Sequence, residues 1–164
     1  MKAITVWPEW AALVAARLKP LENRGPESPR WLGRAIGQRV AVHAGKHVGG
    51  RPGLPAWEEA QDSLWWTGLP AGWEIELRHE RSEPRIRWRR VPDDDPGQWQ
   101  SAPLARGAIV CTAVLGRPHR PSGKPWENDD PTTWCWPLLD VQPLAVPVPC
   151  RGAQGLWTTW ETLP

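Results

Sequence analysis

The chain has 164 residues, 40% of them hydrophobic, which suits one globular domain with a self-sufficient core. Its 20 basic and 18 acidic residues give a net charge of only +2, which argues against a long phosphate-tracking surface but leaves room for a local basic patch. No apolar run approaches the roughly 20 residues that span a bilayer, and Pro8 and Glu9 interrupt the N-terminal segment too early for a secretory signal. We therefore expect a cytoplasmic protein.

The chain opens with a predicted strand and helix. Lys2 to Val6 is rich in β-branched residues, which favours a strand, and Pro8 suits the first turn of a helix. Apolar residues then recur at helical spacing, so we expect an amphipathic helix of about three turns that ends at Pro20. The residues with this spacing are Trp10, Leu13, Val14 and Leu18.

Two further strands are expected after the helix. Leu21 to Arg24 is predicted to be extended, and because side chains alternate along a strand, Glu22 and Arg24 share one face. Glycine, proline and serine predict a loop over residues 25–33. Arg39 to Ala44 then predicts a second strand.

The middle of the chain holds an arginine-rich hairpin. Glu74 to His79 and Arg85 to Val91 alternate in polarity and are predicted to pair, with a turn at about Ser82-Glu83. Residues 73–91 contain six Arg and four Glu, so ion pairing across the two strands is one interpretation. The alternative is a nucleic-acid-facing arm in which Trp88 stacks on a base.

The second half predicts mainly strands and loops. Ala108 to Leu115 gives the strongest strand signal, and residues 116–131 form a polar, proline-rich loop. The other expected elements are a short helix over about 55–65, a loop over 93–97, a strand over Trp134 to Val141, and an edge strand over Pro143 to Val148. The whole is a mostly β domain of the α+β class with one or two helices, for which closure into a barrel removes the sheet edges.

Composition bears on the packing of this domain. The chain has 14 Trp but no Tyr or Phe. Because no smaller aromatic residue is available, most of these tryptophans must fill the core, which leaves a few to stack on a ligand or cover a cleft. The 20 prolines and 15 glycines are spread without a period, as is typical of a turn-rich β fold.

Cysteine and histidine spacing does not indicate a metal site. Cys111, Cys135 and Cys150 are odd in number and widely separated, so we expect buried, reduced thiols rather than disulfides or a zinc site. His43 and His47 stand four apart, a spacing that suits a metal only on a helix, and the glycines around them argue against one. We therefore expect no metal and no other cofactor.

Several short motifs occur along the chain in a familiar order. After the first helix, residues 17–24 (RLKPLENR) fit the pattern G-x-K-x-x-E-x-R except at the glycine, which is Arg17. The other segments are 7–10 (WPEW), 37–46 (GQRVAVHAGK), 106–110 (RGAIV) and 147–157 (PVPCRGAQGLW). In these motifs the chain resembles the ASCH domains, relatives of the PUA RNA-binding barrel, across residues 3–157.

The resemblance implies a fold and a partner. It implies one PUA-like domain over residues 1–164, a β-barrel with one or two helices and an inserted β-hairpin, in which about 50–105 is an insertion atypical of the family. The partner that it implies is RNA or a modified nucleoside or nucleotide, and not a membrane. It also places a charged central cleft at Lys19, Glu22 and Arg24.

The cleft residues allow two interpretations. We expect Glu22, held between two cations, to be ionised and to accept hydrogen bonds from the amino edge of a base. Lys19 and Arg24 would then attract phosphate or carbonyl oxygen. The alternative is a structural ion pair between Glu22 and Arg24, with Lys19 in solvent.

The resemblance also implies an enzymatic alternative. Some small ASCH proteins hydrolyse the amide of N(4)-acetylcytidine with a lysine at the position of Lys19 and a threonine three residues later, where this chain has Glu22. An amidohydrolase or ribonuclease of this kind would use Lys19 and Glu22 as catalytic residues, with Glu22 as base and Lys19 or Arg24 stabilising the oxyanion. The chain has no glycine-rich phosphate loop and no G-x-S-x-G, so P-loop and serine-hydrolase chemistry are not expected.

Four further residues are expected to bind the ligand: Trp10, His43, Lys46 and Arg151. His43 could instead be structural, Lys46 could be solvated, and Arg151 could belong to a tight turn that the neighbouring glycines permit. A third class of function, a protein-interaction domain, would be indicated if exposed tryptophans formed one apolar patch while the cleft stayed closed.

Overall fold

The computed structural model describes residues 1–46, 72–80, 83–91 and 98–159, which are mostly β with two short helices. The predicted helix at about 55–65 and loop at 93–97 lie outside these residues. The described elements are β1 (Lys2–Val6), α1 (Pro8–Ala15), β2 (Leu21–Arg24), α2 (Ser28–Leu32), a 3-10 turn (Gly33–Ala35), β3 (Arg39–Ala44), β4 (Trp73–Glu80), β5 (Glu83–Arg90), β6 (Gln100–Pro103), β7 (Ala108–Leu115), β8 (Trp134–Pro149) and β9 (Leu156–Thr158).

Six strands form a sheet that curls into a half-barrel, in the order β2-β8-β7-β3-β1-β9. Strands β1 and β3 are parallel, which requires the crossover through α1, and the other pairs are antiparallel. The long strand β8 pairs with β2 over its first four residues and with β7 from Leu138 onwards. Two register shifts against β7 interrupt this second pairing, and such irregularities bend a strand.

Helix α1 packs against both this sheet and the smaller antiparallel sheet β4-β5-β6. Ala11 and Val14 belong to the core of the half-barrel, whereas Trp10 and Leu13 pack in a second cluster with Ile86 of β5. The first seven residues of the helix are all buried. The helix is therefore buried on both sides rather than amphipathic, and with eight residues it makes about two turns instead of the predicted three.

Most of the predicted strands are confirmed. Strands β1, β3 and β7 have the bounds that the sequence predicts, and β4 and β5 pair as the expected hairpin. The prediction of a loop over 25–33 is wrong, because α2 occupies Ser28–Leu32. Pro29 lies in the first turn of α2, where proline supports a helix, and Leu32 is buried in the main core.

Two strand predictions need correction. Strand β8 runs without a break through the two segments predicted at Trp134 to Val141 and Pro143 to Val148, although its pairing with β2 stops at Pro137. Strand β6 was not predicted, since its four residues, Gln-Ser-Ala-Pro, include no β-branched or aromatic side chain. No helix among the described residues is long and apolar enough to cross a bilayer.

The end of α1 is a chain reversal with a residue in the left-handed conformation. Arg17 has a φ of 62°. Its N–H donates to the carbonyl of Val14 at 2.8 Å, and the N–H of Leu18 donates to the carbonyl of Leu13 at 2.9 Å. These two bonds form a Schellman motif, in which the left-handed position is usually glycine. Arg17 therefore adopts the conformation that suits the glycine of G-x-K-x-x-E-x-R, and its Nε donates to the carbonyl of Val141 at 3.2 Å.

Substitutions at Arg17 test this helix end. Both Arg17→Gly and Arg17→Val remove the hydrogen bond to the carbonyl of Val141. A difference in stability between the two variants therefore reports the backbone preference of the new residue. Because a β-branched residue strongly disfavours a positive φ, we expect Arg17→Gly to be more stable than Arg17→Val by about 1 kcal/mol or more. Denaturant unfolding followed by tryptophan fluorescence would measure this difference, and equal stability of the two variants would contradict the assigned conformation.

Candidate functional site

Lys19, Glu22 and Arg24 converge just beyond α1. One carboxylate oxygen of Glu22 lies 3.0 Å from Nε of Arg24, and the other lies 3.9 Å from Nζ of Lys19. Lys19 comes from the turn after the helix, whereas Glu22 and Arg24 come from β2, where alternation places them on the same face. Each oxygen of the carboxylate therefore faces one cation.

This charged cluster is largely withdrawn from water. The exposed fractions of the side chains are 2% for Lys19, 9% for Glu22 and 21% for Arg24. Burial lowers the pKa of Lys19, an effect that Glu22 and Cys135 oppose and Arg24 reinforces. The ammonium group donates a hydrogen bond of 2.5 Å to the carbonyl of Leu21. The interpretation that leaves Lys19 in solvent is therefore wrong.

Two tryptophans flank the cluster. The ring centroid of Trp10 is 5.6 Å from Nζ of Lys19, and that of Trp31 is 5.9 Å from the guanidinium carbon of Arg24. Both separations suit a cation–π contact. Trp10 is buried in the cluster between α1 and the smaller sheet, whereas Trp31 on α2 is only partly buried. Sequence reasoning missed Trp31, because the segment that carries it was expected to be a loop.

An open depression of about 310 Å³ lies beside the end of α1. Of the three clustered charges, it contacts Lys19 but neither Glu22 nor Arg24. Its lining consists of Arg17, Lys19, Pro20, Leu138, Asp140 and Val141.

Thr5 of β1 connects this cluster to the C-terminal segment. Its carbonyl accepts a hydrogen bond of 2.5 Å from Nη2 of Arg24. Its hydroxyl donates to the carbonyl of Ala153 at 2.8 Å and accepts from Nε1 of Trp157 at 3.1 Å. Nδ1 of His43 lies 3.3 Å from the same hydroxyl. Sequence reasoning missed Thr5 because its partners are distant along the chain and no local pattern marks it.

His43 is buried on the other side of Thr5. Its Nε2 lies 3.2 Å from the carbonyl oxygen of Cys150. Burial lowers the pKa of His43, which the hydrogen bond to Cys150 opposes and the charge of Lys46 reinforces. Gly152 approaches so closely that a Cβ there would lie 2.3 Å from Cε1 of His43. These contacts match the structural interpretation of His43: its side chain links β3 to the C-terminal segment.

Lys46 and Arg151 are exposed near this junction. Lys46 lies two residues after β3, and its stem runs beside Gly107, where a Cβ would be 3.5 Å from Cγ of the lysine. Arg151 lies between Cys150 and Gly152, both of which contact His43. The structure therefore brings Trp10 close to Lys19 of the charged cluster, whereas Lys46 and Arg151 lie near His43, which contacts Thr5.

Two arginines of the hairpin, Arg87 and Arg89, are paired across the strands, as one interpretation predicted. Glu74 lies 2.6 Å from Arg89, which is directly opposite it. Glu76 lies 3.2 Å from Arg87 opposite and 3.2 Å from Arg78 on its own strand. These ion pairs offset part of the positive charge on this face of the smaller sheet.

Trp88 is not available to stack on a base. It is 8% exposed, and its Nε1 donates to the side chain of Gln100 at 3.0 Å, so the stacking role proposed for it is wrong. Trp99 instead lies against the charged face, with its ring centroid 4.9 Å from the guanidinium carbon of Arg87 and 4.7 Å from that of Arg89.

The three cysteines are free, and Cys111 and Cys135 are buried, whereas Cys150 is partly exposed. Burial raises the pKa of Cys111 to about 12, so this thiol stays protonated. The structure does not test the prediction that His43 and His47 bind no metal, because His47 lies outside the described residues.

The tight packing at Gly152 can be tested by adding one methyl group. In Gly152→Ala, the new Cβ would lie 2.3 Å from Cε1 of His43 and 2.9 Å from the hydroxyl oxygen of Thr5. Because hydrogen bonds hold the His43 ring, we expect a loss of stability of about 1–3 kcal/mol. The control is Gly25→Ala, where no atom lies within 4 Å of the added Cβ and the change should stay within about 0.5 kcal/mol. Equal unfolding midpoints for the two variants would contradict the packing at Gly152.

Comparison of the sequence with models of known protein families gave no match, and comparison with curated proteins gave none either.

Proposed function

We propose that the chain is a PUA-like domain of the ASCH type that binds RNA, or a modified nucleoside or nucleotide, at the cluster of Lys19, Glu22 and Arg24. The observation that carries this proposal is the buried carboxylate of Glu22, held between two cations at 3.0 and 3.9 Å. Support for the fold comes from the mostly β structure, in which a six-stranded sheet curls into a half-barrel beside two short helices. Arg17, at the glycine position of G-x-K-x-x-E-x-R, has a left-handed backbone conformation that glycine adopts readily.

The energetics of the cluster favour a binding role over a purely structural one. Removing an ion from water costs several kcal/mol, and replacing a buried ion pair with apolar residues of similar volume is often neutral or stabilising. Core packing alone therefore gives no reason to retain Lys19, Glu22 and Arg24 together. Recognition of a polar ligand does give one, and ionisable groups whose pKa is shifted by burial, as that of Lys19 is, concentrate at functional sites.

The geometry suggests how a nucleobase is recognised. A carboxylate has about four lone-pair positions, and each oxygen of Glu22 faces only one of the two cations. The remaining positions can accept hydrogen bonds from the amino edge of a base. Arg24 and Trp31, both partly exposed, offer a face on which the base can stack. Lys46 and Arg151, exposed near His43, can contact the phosphates.

Binding should depend on the guanidinium of Arg24. Arg24→Lys keeps the positive charge but loses the planar guanidinium that pairs with Glu22 and donates a hydrogen bond to the carbonyl of Thr5. We expect this variant to bind short single-stranded RNAs or nucleosides about tenfold more weakly. Titrations at low salt, followed by intrinsic tryptophan fluorescence, would measure the affinity.

A matched control is Arg30→Lys. Arg30 pairs with Glu27 at 2.9 Å on the same short helix as Trp31, but its side chain is 83% exposed, so affinity should not change. Equal affinities of Arg24→Lys and Arg30→Lys would place the ligand elsewhere. Failure of every RNA and nucleoside to bind at low salt would remove the proposal.

A second candidate function, hydrolysis of an acylated cytidine or of RNA, is favoured by the lowered pKa of Lys19 next to the Glu22 carboxylate. Such an enzyme would release acetate from N(4)-acetylcytidine or cleave labelled RNA, and chromatography would detect the products. We expect any such turnover to be lost in both Lys19→Ala and Glu22→Gln, since Glu22 would be the base and Lys19 a stabiliser of the oxyanion. Turnover that survives both substitutions would rule out this cluster as the active site.

A further inference from the structure

Three side chains with different donor atoms converge where the loop of residues 116–133 meets β8. They are His119 and Glu127 of the loop and Cys135 of the strand, and one nitrogen, oxygen or sulfur of each lies within 4.8 Å of those of the other two. Glu127 and Cys135 are buried, whereas His119 is exposed. No sequence pattern predicts this convergence, because the three residues are spaced eight apart along the chain and form no recognised ligand motif.

The carboxylate of Glu127 is held by one of its two oxygens. Oε2 accepts hydrogen bonds from the backbone N–H groups of Ser122, at 2.5 Å, and Lys124, at 3.0 Å. Oε1 has two other neighbours. It lies 3.7 Å from Nδ1 of His119 and accepts a hydrogen bond of 3.3 Å from the hydroxyl of Ser122. A carboxylate that binds a metal is typically held in this way, with one oxygen anchored by neighbouring donors and the other directed at the ion.

The backbone also holds the other two residues in place. His119 and Cys135 stand directly opposite each other and exchange backbone hydrogen bonds of 3.1 and 2.9 Å. The guanidinium of Arg120 lies 3.8 Å from the ring centroid of Trp134 and donates to the carbonyl of Thr132 at 2.6 Å. The start of the loop at His119 and Arg120 is therefore bonded to the residues around the start of β8.

The donor set and its spacing fit a zinc-class ion. Imidazole, thiolate and carboxylate together suit a borderline-soft divalent metal, and zinc binds them at about 2.0–2.3 Å. Donors around such an ion lie about 3–4 Å apart, so the widest separation must shrink by roughly 1 Å. The side chain of His119 is 42% exposed, and its Nδ1 lies 2.9 Å from the carbonyl oxygen of Arg120. Rotation of the ring to close the gap exchanges this contact for the bond to the ion.

We propose that His119, Glu127 and Cys135 bind one divalent ion of the zinc class, which fastens the loop of residues 116–133 to β8. Cys135 pairs with Asn23 of β2, and alternation along β2 puts the Asn23 side chain on the face opposite Glu22 and Arg24. The thiol of Cys135 donates to Oδ1 of Asn23 at 3.4 Å. The ion therefore lies across β2 from the carboxylate of the charged cluster, and the proposal does not depend on nucleotide binding. Three protein donors leave a fourth tetrahedral position for water.

Titration of the chelator-stripped, full-length chain with Co²⁺ tests this site. We expect one ion per chain, an absorption band from thiolate-to-cobalt charge transfer, and loss of that band when Zn²⁺ is added in competition. Cys135→Ser should abolish the band. His119→Ala should weaken binding by more than about tenfold, because loss of a residue that only supports a metal ligand already costs about that much affinity. Cys150→Ser is the control and should keep both the band and the affinity.

Three outcomes would overturn the proposal: no thiolate-to-cobalt band in the unmodified chain, unchanged affinity in His119→Ala, or loss of the band in Cys150→Ser. Because Cys135 is buried, Cys135→Ser could fail to fold, which tryptophan fluorescence would reveal. His119→Ala then decides, since the exposed imidazole can be removed without disturbing the core. A rise in unfolding temperature with Zn²⁺ in the unmodified chain, absent in His119→Ala, is the expected companion result.

Discussion

Three backbone hydrogen bonds at the end of α1 turn the chain back on itself: Arg17 to Val14 at 2.8 Å, Leu18 to Leu13 at 2.9 Å, and Lys19 to Leu13 at 3.2 Å. This reversal is possible because Arg17 accepts a left-handed conformation. The position of Lys19 follows from it. Strand β2 begins two residues after Lys19. The side chains of Glu22 and Arg24 on this strand therefore lie beside the ammonium group of Lys19, which the turn directs inward.

The charged cluster is stable only as a unit. The two cations and the carboxylate are each too buried to be fully solvated, so each depends on the opposite charges of the cluster. The two cations also donate to backbone carbonyls. Lys19 uses the carbonyl of Leu21, and Arg24 uses that of Thr5. Through Thr5 the cluster is connected to His43 and to the C-terminal segment, so the two ends of the chain contribute to one hydrogen-bonded network.

The parts of the fold that local sequence encodes were predicted well. Strands β1, β3 and β7 are dense in β-branched and small apolar residues, and their bounds follow from that signal alone. The convergence of Glu22 and Arg24 follows from alternation along four residues. Helix α2 was missed because its proline and serine also favour loops, and β8 was divided because its prolines suggested a break that the pairing with β7 overrides. The contacts of Thr5 and Trp31 join residues far apart in sequence, or on different elements, and periodicity carries no information about them.

Both outer strands of the six-stranded sheet are short, with four residues in β2 and three in β9. An exposed strand edge can recruit a strand from another molecule, and proteins oppose this with short edges and charged side chains. Strand β2 has both, since two of its four residues are Glu22 and Arg24. The charges of the cluster therefore also protect this border of the described sheet against intermolecular strand pairing, and exchanging them for apolar residues would expose it to self-association.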